Sequence, residues 1–227
     1  MFNIHYFSPL IFSVYVYLLK KVKPCPDSRK IIKLRKYHNI GLSIASFLFL
    51  IGSIFSNIQS HKFASLKSLI CQPYLNSYLV YFVSKSFYYS KYWEWLDTAF
   101  LHLSGKEISF LHYSHHMSVP LLGYINIRTE TVYYGFILIF TNSLVHSFMY
   151  WYYAYPKGIL RPYRQWITRI QIIQHVICLL TIISTYIYDD CIQLPGCNKY
   201  SLLGYLMYLY YFLDFYWKNY RKNKFKV

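Results

Sequence analysis

Acidic side chains are scarce in this sequence. Asp and Glu number 8 against 24 Lys and Arg, and all charged residues together make up only 14% of the chain. An ordinary soluble domain carries about 25% charged residues, so this composition argues against one. The five cysteines include no CxxC pair, which argues against a structural zinc site. With 227 residues, the chain is expected to form one domain over 1–227.

Apolar residues are abundant in return: 56% of the chain is hydrophobic and 22% is aromatic. The net charge of +16 fits either a nucleic-acid binder or a membrane protein with basic cytosolic loops. The Lys and Arg residues cluster between long apolar runs and do not follow one polar face. We therefore predict a polytopic all-α membrane protein with no nucleic-acid partner.

Seven segments approach the roughly 20 mostly apolar residues that a membrane-spanning helix needs. The third is unusual because it carries Lys85, Lys91, Glu94 and Asp97, which recur at helical spacing. The first lacks a basic start and a small-residue cleavage site, so we predict no cleaved signal peptide. The predicted spans are 4–19, 39–57, 77–101, 110–126, 132–154, 167–188 and 200–217.

Basic charge alternates between the loops that join these spans. The loops after the first, third and fifth spans and the C-terminal tail hold 17 Lys and Arg, whereas the other loops hold 4. Basic loops stay in the cytosol, so we predict a lumenal or external N-terminus and a cytosolic C-terminus. An odd number of crossings is required for that arrangement, and seven satisfies it.

This topology gives the cysteines different redox environments. Cys71, Cys191 and Cys197 fall in lumenal loops, where disulfides persist. We expect a Cys71–Cys191 bridge, with Cys197 as the alternative partner and three free thiols as the remaining alternative. Cys25 is cytosolic and Cys178 lies within a span, so both are interpreted as packing residues.

Polar residues inside a bilayer are costly and mark candidate sites. The third span reads KYWEWLDT from Lys91 to Thr98, and the fourth carries three histidines in five residues. The acidic and basic cluster is either a neutralised contact between helices or part of a catalytic site. The histidines share one helix face at i, i+3 and i+4, a spacing that suits metal ligation or imidazole catalysis: His112, His115 and His116.

The fifth and sixth spans carry further polar residues. Asn142, His146 and Tyr150 fall on one stripe of the fifth, and Gln171 and Gln174 lie one turn apart on the sixth. Hydrogen bonds between helices are the structural alternative for each of them. Their position on neighbouring predicted spans favours a shared site.

Four motifs in one order resemble those of the fatty-acid elongases. KYWEWLDT is similar to their K-x-x-E-x-x-D-T motif, and ISFLHYSHH to their histidine box with its apolar lead. NSLVHSFMYWYY resembles N-x-x-x-H-x-x-M-Y-x-Y-Y, TRIQIIQ resembles T-x-x-Q-x-x-Q, and ICQPYLNSY resembles a lumenal loop of the family. The resemblance implies seven transmembrane helices, six of them around an acyl tunnel.

The implied activity is a decarboxylating condensation of acyl-CoA with malonyl-CoA that gives 3-oxoacyl-CoA. Neutral imidazole is a competent nucleophile near neutral pH, and we interpret His115 as the acyl acceptor. His146 would orient or polarise the malonyl carbonyl, while His112 and His116 would orient His115 or act as acid or base. The resemblance implies no cofactor or metal; the expected substrate-binding residues are Asn142, Gln171, Gln174, Tyr150, Lys91, Glu94 and Asp97.

CoA phosphates call for basic residues at the cytosolic end. The resemblance further implies an endoplasmic reticulum membrane and, as partners, the ketoacyl reductase, dehydratase and enoyl reductase of the elongation cycle; a homodimer is compatible with it. The loop LHLSGKEIS has few basic residues for a phosphate site, and the tail does not match a dilysine signal. The candidates for CoA phosphate binding are Lys106, Lys157, Arg161, Arg164 and Arg169.

Two other classes are open on the residues alone. A membrane di-iron desaturase or hydroxylase needs several histidine boxes, whereas this chain has 9 His and one true box. A non-enzymatic transporter could use the intramembrane Lys, Glu and Asp as a transport path. Iron content separates the first class from an elongase, and an acyl adduct on the histidine box separates the second.

Overall fold

A computed structural model describes residues 4–60, 64–71, 78–128, 135–188, 191 and 197–221 of the chain. Helices make up nearly all of these ranges, and no strand occurs within them. The all-helical class is therefore confirmed for this part of the chain. The principal helices are α1 (Ser8–Leu19), α2 (Arg29–Gln59), α3 (Leu66–Cys71), α4 (Tyr78–Trp93), α5 (Trp95–Leu103), α6 (Phe110–Arg128), α7 (Gly135–Ala154), α8 (Arg164–Ile187) and α9 (Cys197–Tyr216).

Helix α2 begins ten residues earlier than the predicted span. Ser28 caps it, since its hydroxyl accepts a hydrogen bond from the backbone N–H of Ile31 at 3.4 Å. The segment from Arg29 to Lys36 is too basic for a membrane-spanning window but has good helix formers. Hydropathy therefore underestimates the length of this helix.

The third predicted span is not one continuous helix. It divides into α4 and α5 at Glu94, where the N–H of Asp97 bonds the Glu94 carbonyl at 3.0 Å, an i to i+3 contact. Such a contact tightens the turn relative to an α-helix. The prediction of a single helix over 77–101 was wrong at this point, and the interruption falls on Glu94, an acidic residue of the motif.

Six helices contact one another in a closed ring. The order around it is α2, α7, α8, α9, α6 and α4, and α4 returns to α2. Helix α1 lies outside the ring against α6 and α5. Lys91 contacts Asn142, and further along both helical segments Asp97 contacts Tyr150. The chain therefore runs in the same direction through α4–α5 and through α7. Their C-terminal ends consequently lie at the same end of the ring.

Two helical stretches of the described residues are long and apolar enough to cross a bilayer. They are Arg29–Gln59 and Arg161–Ile187. Ile4–Leu19 is a shorter apolar helical stretch. The described parts of the other predicted spans are helical, with the bounds given above, and their membrane crossing remains a prediction.

A disulfide joins Cys71 at the end of α3 to Cys191 beyond α8. Ile70, Phe136 and Ile137 pack around it in one apolar cluster. Cys25 is an exposed free thiol, Cys178 is a buried one, and the side chain of Cys197 lies outside the described part of the chain.

Candidate active site

The ring of helices encloses a cavity of about 120 Å³, lined by α4, α6, α7, α8 and α9. A single water needs only about 10–15 Å³ measured in this way, so the cavity has room for a larger ligand. Its wall is mainly apolar, with Val119, Leu122 and Ile139 among the lining residues. Polar side chains of four helices reach it at the level of the motifs: Lys91, His115, Asn142, Gln174 and His175.

Lys91 connects two of the motifs. Its ammonium donates to Glu94 Oε1 at 2.7 Å and to Asn142 Oδ1 at 2.9 Å. Both charged side chains of the ion pair are nearly inaccessible, at 7% and 5% exposure. Buried charges of this kind are tolerated only when paired. The ion pair therefore also fixes the amide of Asn142 with its oxygen turned toward Lys91.

His146 has a tautomer that the backbone determines. Its Nδ1 lies 2.9 Å from the carbonyl oxygen of Asn142, which accepts hydrogen bonds only, so Nδ1 carries the hydrogen. Nε2 lies 3.9 Å from Glu94 Oε2. In a neutral imidazole Nε2 is then an acceptor, and polarising a carbonyl from it would require the protonated ring.

The three histidines of the box on α6 have different surroundings. His115 lines the cavity and packs against the ring of Tyr208, with 5.0 Å between centroids. His112 Nε2 bonds the Thr98 hydroxyl at 2.9 Å, and its ring lies 4.2 Å from that of His116. The carbonyl of His116 accepts from the Trp95 indole at 2.9 Å. Of the three, only His115 is among the described residues that line the cavity.

Asp97 and Tyr150 belong to a second polar cluster beside the cavity. One carboxylate oxygen of Asp97 lies 2.7 Å from His38 Nε2, and the other accepts from the Tyr150 hydroxyl at 2.7 Å. The ring of Tyr150 lies 5.5 Å from that of His146. This cluster links α2, α5 and α7, and its Tyr150 ring packs against His146.

The two motif glutamines of α8 have different surroundings. Gln174 is buried and lines the cavity, whereas the Gln171 amide donates to the sulfur of Met149 at 3.3 Å. The next residue, His175, also lines the cavity and is only 3% exposed. Its Nδ1 is buried without a hydrogen-bond partner among the described residues.

The basic candidates for phosphate binding lie where α5 and α7 end and where α6 and α8 begin. Lys106, Lys157, Arg161 and Arg164 are exposed. Arg169 is half-buried, donates to the Tyr216 hydroxyl at 2.9 Å and stacks 4.5 Å from the Trp166 ring. These positions are near the end of the ring that carries the His38–Asp97–Tyr150 cluster.

The described residues of this region do not form a set of metal ligands. Among the residues that the structure describes, no group of three or more His, Cys, Asp or Glu is arranged to hold a metal ion. The di-iron interpretation therefore gains no support from the geometry.

Sequence reasoning did not assign a role to His38, His175 or Tyr208. His38 begins a stripe of polar residues on α2 that continues through Asn39, Ser43 and Ser46, and the structure buries this stripe. The stripe was the sequence signal that pointed to His38. His175 directly follows a motif glutamine, and a second polar residue there was the available signal. Tyr208 offered none, because it lies among many other tyrosines in α9.

Comparison with known proteins supplies the family. Residues 1–227 match the GNS1/SUR4 (ELO) family. Fatty acid elongase A of Dictyostelium discoideum is 28% identical over 234 residues, covering 96% of this chain and 86% of the relative. Putative fatty acid elongase 2 of Schizosaccharomyces pombe is 32% identical over 216 residues, which are 86% of this chain and 58% of that protein.

A third relative, fatty acid elongase 5 of Leishmania major, is 32% identical over 150 residues, covering 62% of this chain and 57% of its own. The chain thus spans well under two thirds of the length of the second and third relatives. The family match extends over every element described above and over all four motifs. The chain belongs to the GNS1/SUR4 (ELO) family of fatty acid elongases and has a role in fatty acid elongation.

Proposed function

We propose that this protein is the condensing enzyme of an elongation cycle, a 3-oxoacyl-CoA synthase. It transfers two carbons from malonyl-CoA to a long-chain acyl-CoA and releases CO2 and CoA. The observation that carries the proposal is the apolar cavity at whose wall His115, Asn142 and Gln174 meet. Such a cavity suits an acyl chain, and its polar residues suit a thioester.

In the proposed first step, a nitrogen lone pair of His115 attacks the thioester carbonyl carbon. The C–S bond breaks, CoA leaves, and the imidazole proton passes to the thiolate. Malonyl-CoA then loses CO2, and its enolate carbon attacks the acyl-imidazole. The new C–C bond forms as the C–N bond breaks, and the imidazole regains a proton from solvent. Exclusion of water protects the acyl-imidazole between these steps.

The other site residues are assigned supporting roles. Asn142 and Gln174 hold carbonyl oxygens of the substrates. His146 acts as an acceptor through Nε2, because its Nδ1 hydrogen is committed to the Asn142 carbonyl. The His112 side chain holds α6 in place through Thr98, and the backbone carbonyl of His116 does so through the Trp95 indole. Lys91, Glu94, Asp97, Gln171 and Tyr150 position these groups, and no cofactor is required.

We further propose that seven helical segments cross the endoplasmic reticulum membrane, six of them around an acyl tunnel. Lys106, Lys157, Arg161, Arg164 and Arg169 then face the cytosol, where CoA and its phosphates enter. The many exposed apolar side chains on the outside of the ring, such as Leu48, Ile173 and Leu180, support a lipid-facing surface. The reductases and dehydratase of the cycle would act on the product.

The test is a microsomal assay with labelled malonyl-CoA and a series of acyl-CoAs. We expect the wild type to incorporate label into 3-oxoacyl-CoA and His115→Ala to retain less than about 1% of that rate. His102→Ala is the matched control, because His102 bonds the Val22 carbonyl away from the cavity. Mass spectrometry after acyl-CoA alone should find the adduct on His115; full activity of His115→Ala would refute the proposal.

A further inference from the structure

Among the described residues that line the cavity, His175 is the histidine to which the elongase motifs assign no role. It is 3% exposed, and Nδ1 has no hydrogen-bond partner among the described residues. A buried polar atom left unsatisfied costs about 1–3 kcal/mol. The ring packs against three aromatic residues of α9, and phenylalanine would pack there without that cost: Tyr205, Tyr208 and Phe212.

His115 and His175 approach the same two rings from different helices. The Tyr208 centroid lies 5.0 Å from His115 and 5.8 Å from His175. The Phe212 centroid lies 6.5 Å from His115 and 4.9 Å from His175. The two imidazoles of α6 and α8 therefore belong to one end of the cavity. Both side chains also line the cavity, so a small group bonded to His115 would enter the space that His175 borders.

The surroundings of His175 also favour one tautomer. A hydrogen on Nδ1 would be an orphaned donor, which is rarer in proteins than an under-satisfied acceptor. The neutral ring therefore carries its hydrogen on Nε2, at the outer tip of the side chain. That leaves an N–H available to a ligand in the cavity.

We propose that His175 donates a hydrogen bond to the acyl carbonyl oxygen while His115 accepts the acyl group. This inference rests on the proposed function. As the His115 lone pair forms the N–C bond, the carbonyl π pair moves to oxygen, where the His175 N–H stabilises the negative charge. When the C=O bond re-forms, the C–S bond breaks and CoA leaves as thiolate. The proton of His115 then passes to that thiolate.

The donor acts on charge that develops during the reaction more than on the ground-state ester. Loss of one such donor typically slows the chemical step about 10²–10³-fold. We therefore expect His175→Phe to slow acylation of His115 by at least about tenfold with little change in KM for acyl-CoA. His175→Gln keeps an N–H donor and should restore part of the lost rate.

The experiment measures adduct formation on His115 by mass spectrometry after mixing purified full-length protein with acyl-CoA alone. The variants are His175→Phe, His175→Gln and the control Ile173→Phe, whose side chain is exposed two residues earlier on α8. The melting temperature of each is measured in the same detergent. His175→Phe should melt no lower than wild type, because it removes an unsatisfied polar atom.

Slow acylation in His175→Phe with an unchanged or raised melting temperature, and faster acylation in His175→Gln, would support the proposal. Acylation of His175→Phe at the wild-type rate would overturn it. So would slow acylation accompanied by a lowered melting temperature in both variants, which indicates packing alone. Wild-type protein that forms no adduct would overturn the proposed function, and this inference with it.

Discussion

Buried charged side chains determine much of the geometry of the site, and Lys91 contacts two of its polar residues. Its ammonium holds Glu94 and Asn142 at once, so the removal of Lys91 leaves the Glu94 carboxylate buried without its cation. We expect Lys91→Met to destabilise the protein by about 3–5 kcal/mol. For a chain of this size that lowers the unfolding midpoint by roughly 10 °C. Thermal unfolding in detergent measures the change.

The double variant Lys91→Met with Glu94→Gln separates charge from packing. Because it removes both members of the ion pair, its midpoint should lie above that of Lys91→Met. A double variant that melts lower than the single one would contradict the ion-pair interpretation.

Tyr150 and Asp97 give a second prediction at this scale. Tyr150→Phe leaves Asp97 Oδ2 without the hydroxyl that donates to it at 2.7 Å, and should cost about 1–3 kcal/mol of stability. Tyr153→Phe is the control, since Tyr153 is 47% exposed. Equal unfolding midpoints for the two variants would show that the Asp97 contact contributes nothing.

The sequence predicted which side chains belong to the site better than it predicted which side chains contact one another. The motifs selected Lys91, His115, Asn142 and Gln174, and all four line the cavity. The sequence could not show that Gln171 turns to Met149, because helical spacing places both glutamines on the same face. The sulfur of Met149, on another helix, is the competing partner, and it is visible only once α7 and α8 are packed.

A glycine allows α9 and α6 to approach each other closely. A Cβ on Gly204 of α9 would lie 2.6 Å from Leu122 Cδ1 of α6, and Leu122 lines the cavity. We expect Gly204→Val to push Leu122 into the cavity and to shift the preferred acyl-CoA toward shorter chains. Product profiles over a series of acyl-CoAs measure this shift. Leu203→Val, at a residue 64% exposed, should leave the profile unchanged.

Hydropathy predicted the ends of some helices well and missed the ends of others. Apolar composition predicted the ends of α7 and α8 to within three residues. It missed the first turns of α2, which are stabilised by the Ser28 cap and by basic side chains that suit water. It also missed the turn at Glu94, because that turn depends on one backbone contact and not on average composition.

At the scale of the whole molecule, the Cys71–Cys191 disulfide links α3 covalently to the segment that follows α8. The two cysteines are 120 residues apart in the chain, so the bond restricts a long loop in the unfolded state. A loop of about 100 residues corresponds to roughly 4–5 kcal/mol in the chain-entropy account. Cys191→Ser should lower the unfolding midpoint, and reductant should lower that of the wild type but not that of the variant.

Cys178→Ser is the control for that measurement, since Cys178 is a free thiol. It should respond to reductant as the wild type does. An unchanged midpoint in Cys191→Ser would indicate that the ring of helices alone determines stability.

Closure of the ring also has a consequence for synthesis. Helix α2 carries a buried polar stripe, and Ser43 donates to the Ser147 carbonyl of α7 at 2.8 Å, a partner 104 residues later. At about 5–20 residues per second, a ribosome needs roughly 5–20 seconds to cover that distance. During this interval the Ser43 hydroxyl of α2 lacks the carbonyl of α7 that accepts its hydrogen bond. Nascent chains that stop before Ser147 should therefore be degraded faster than the full-length chain.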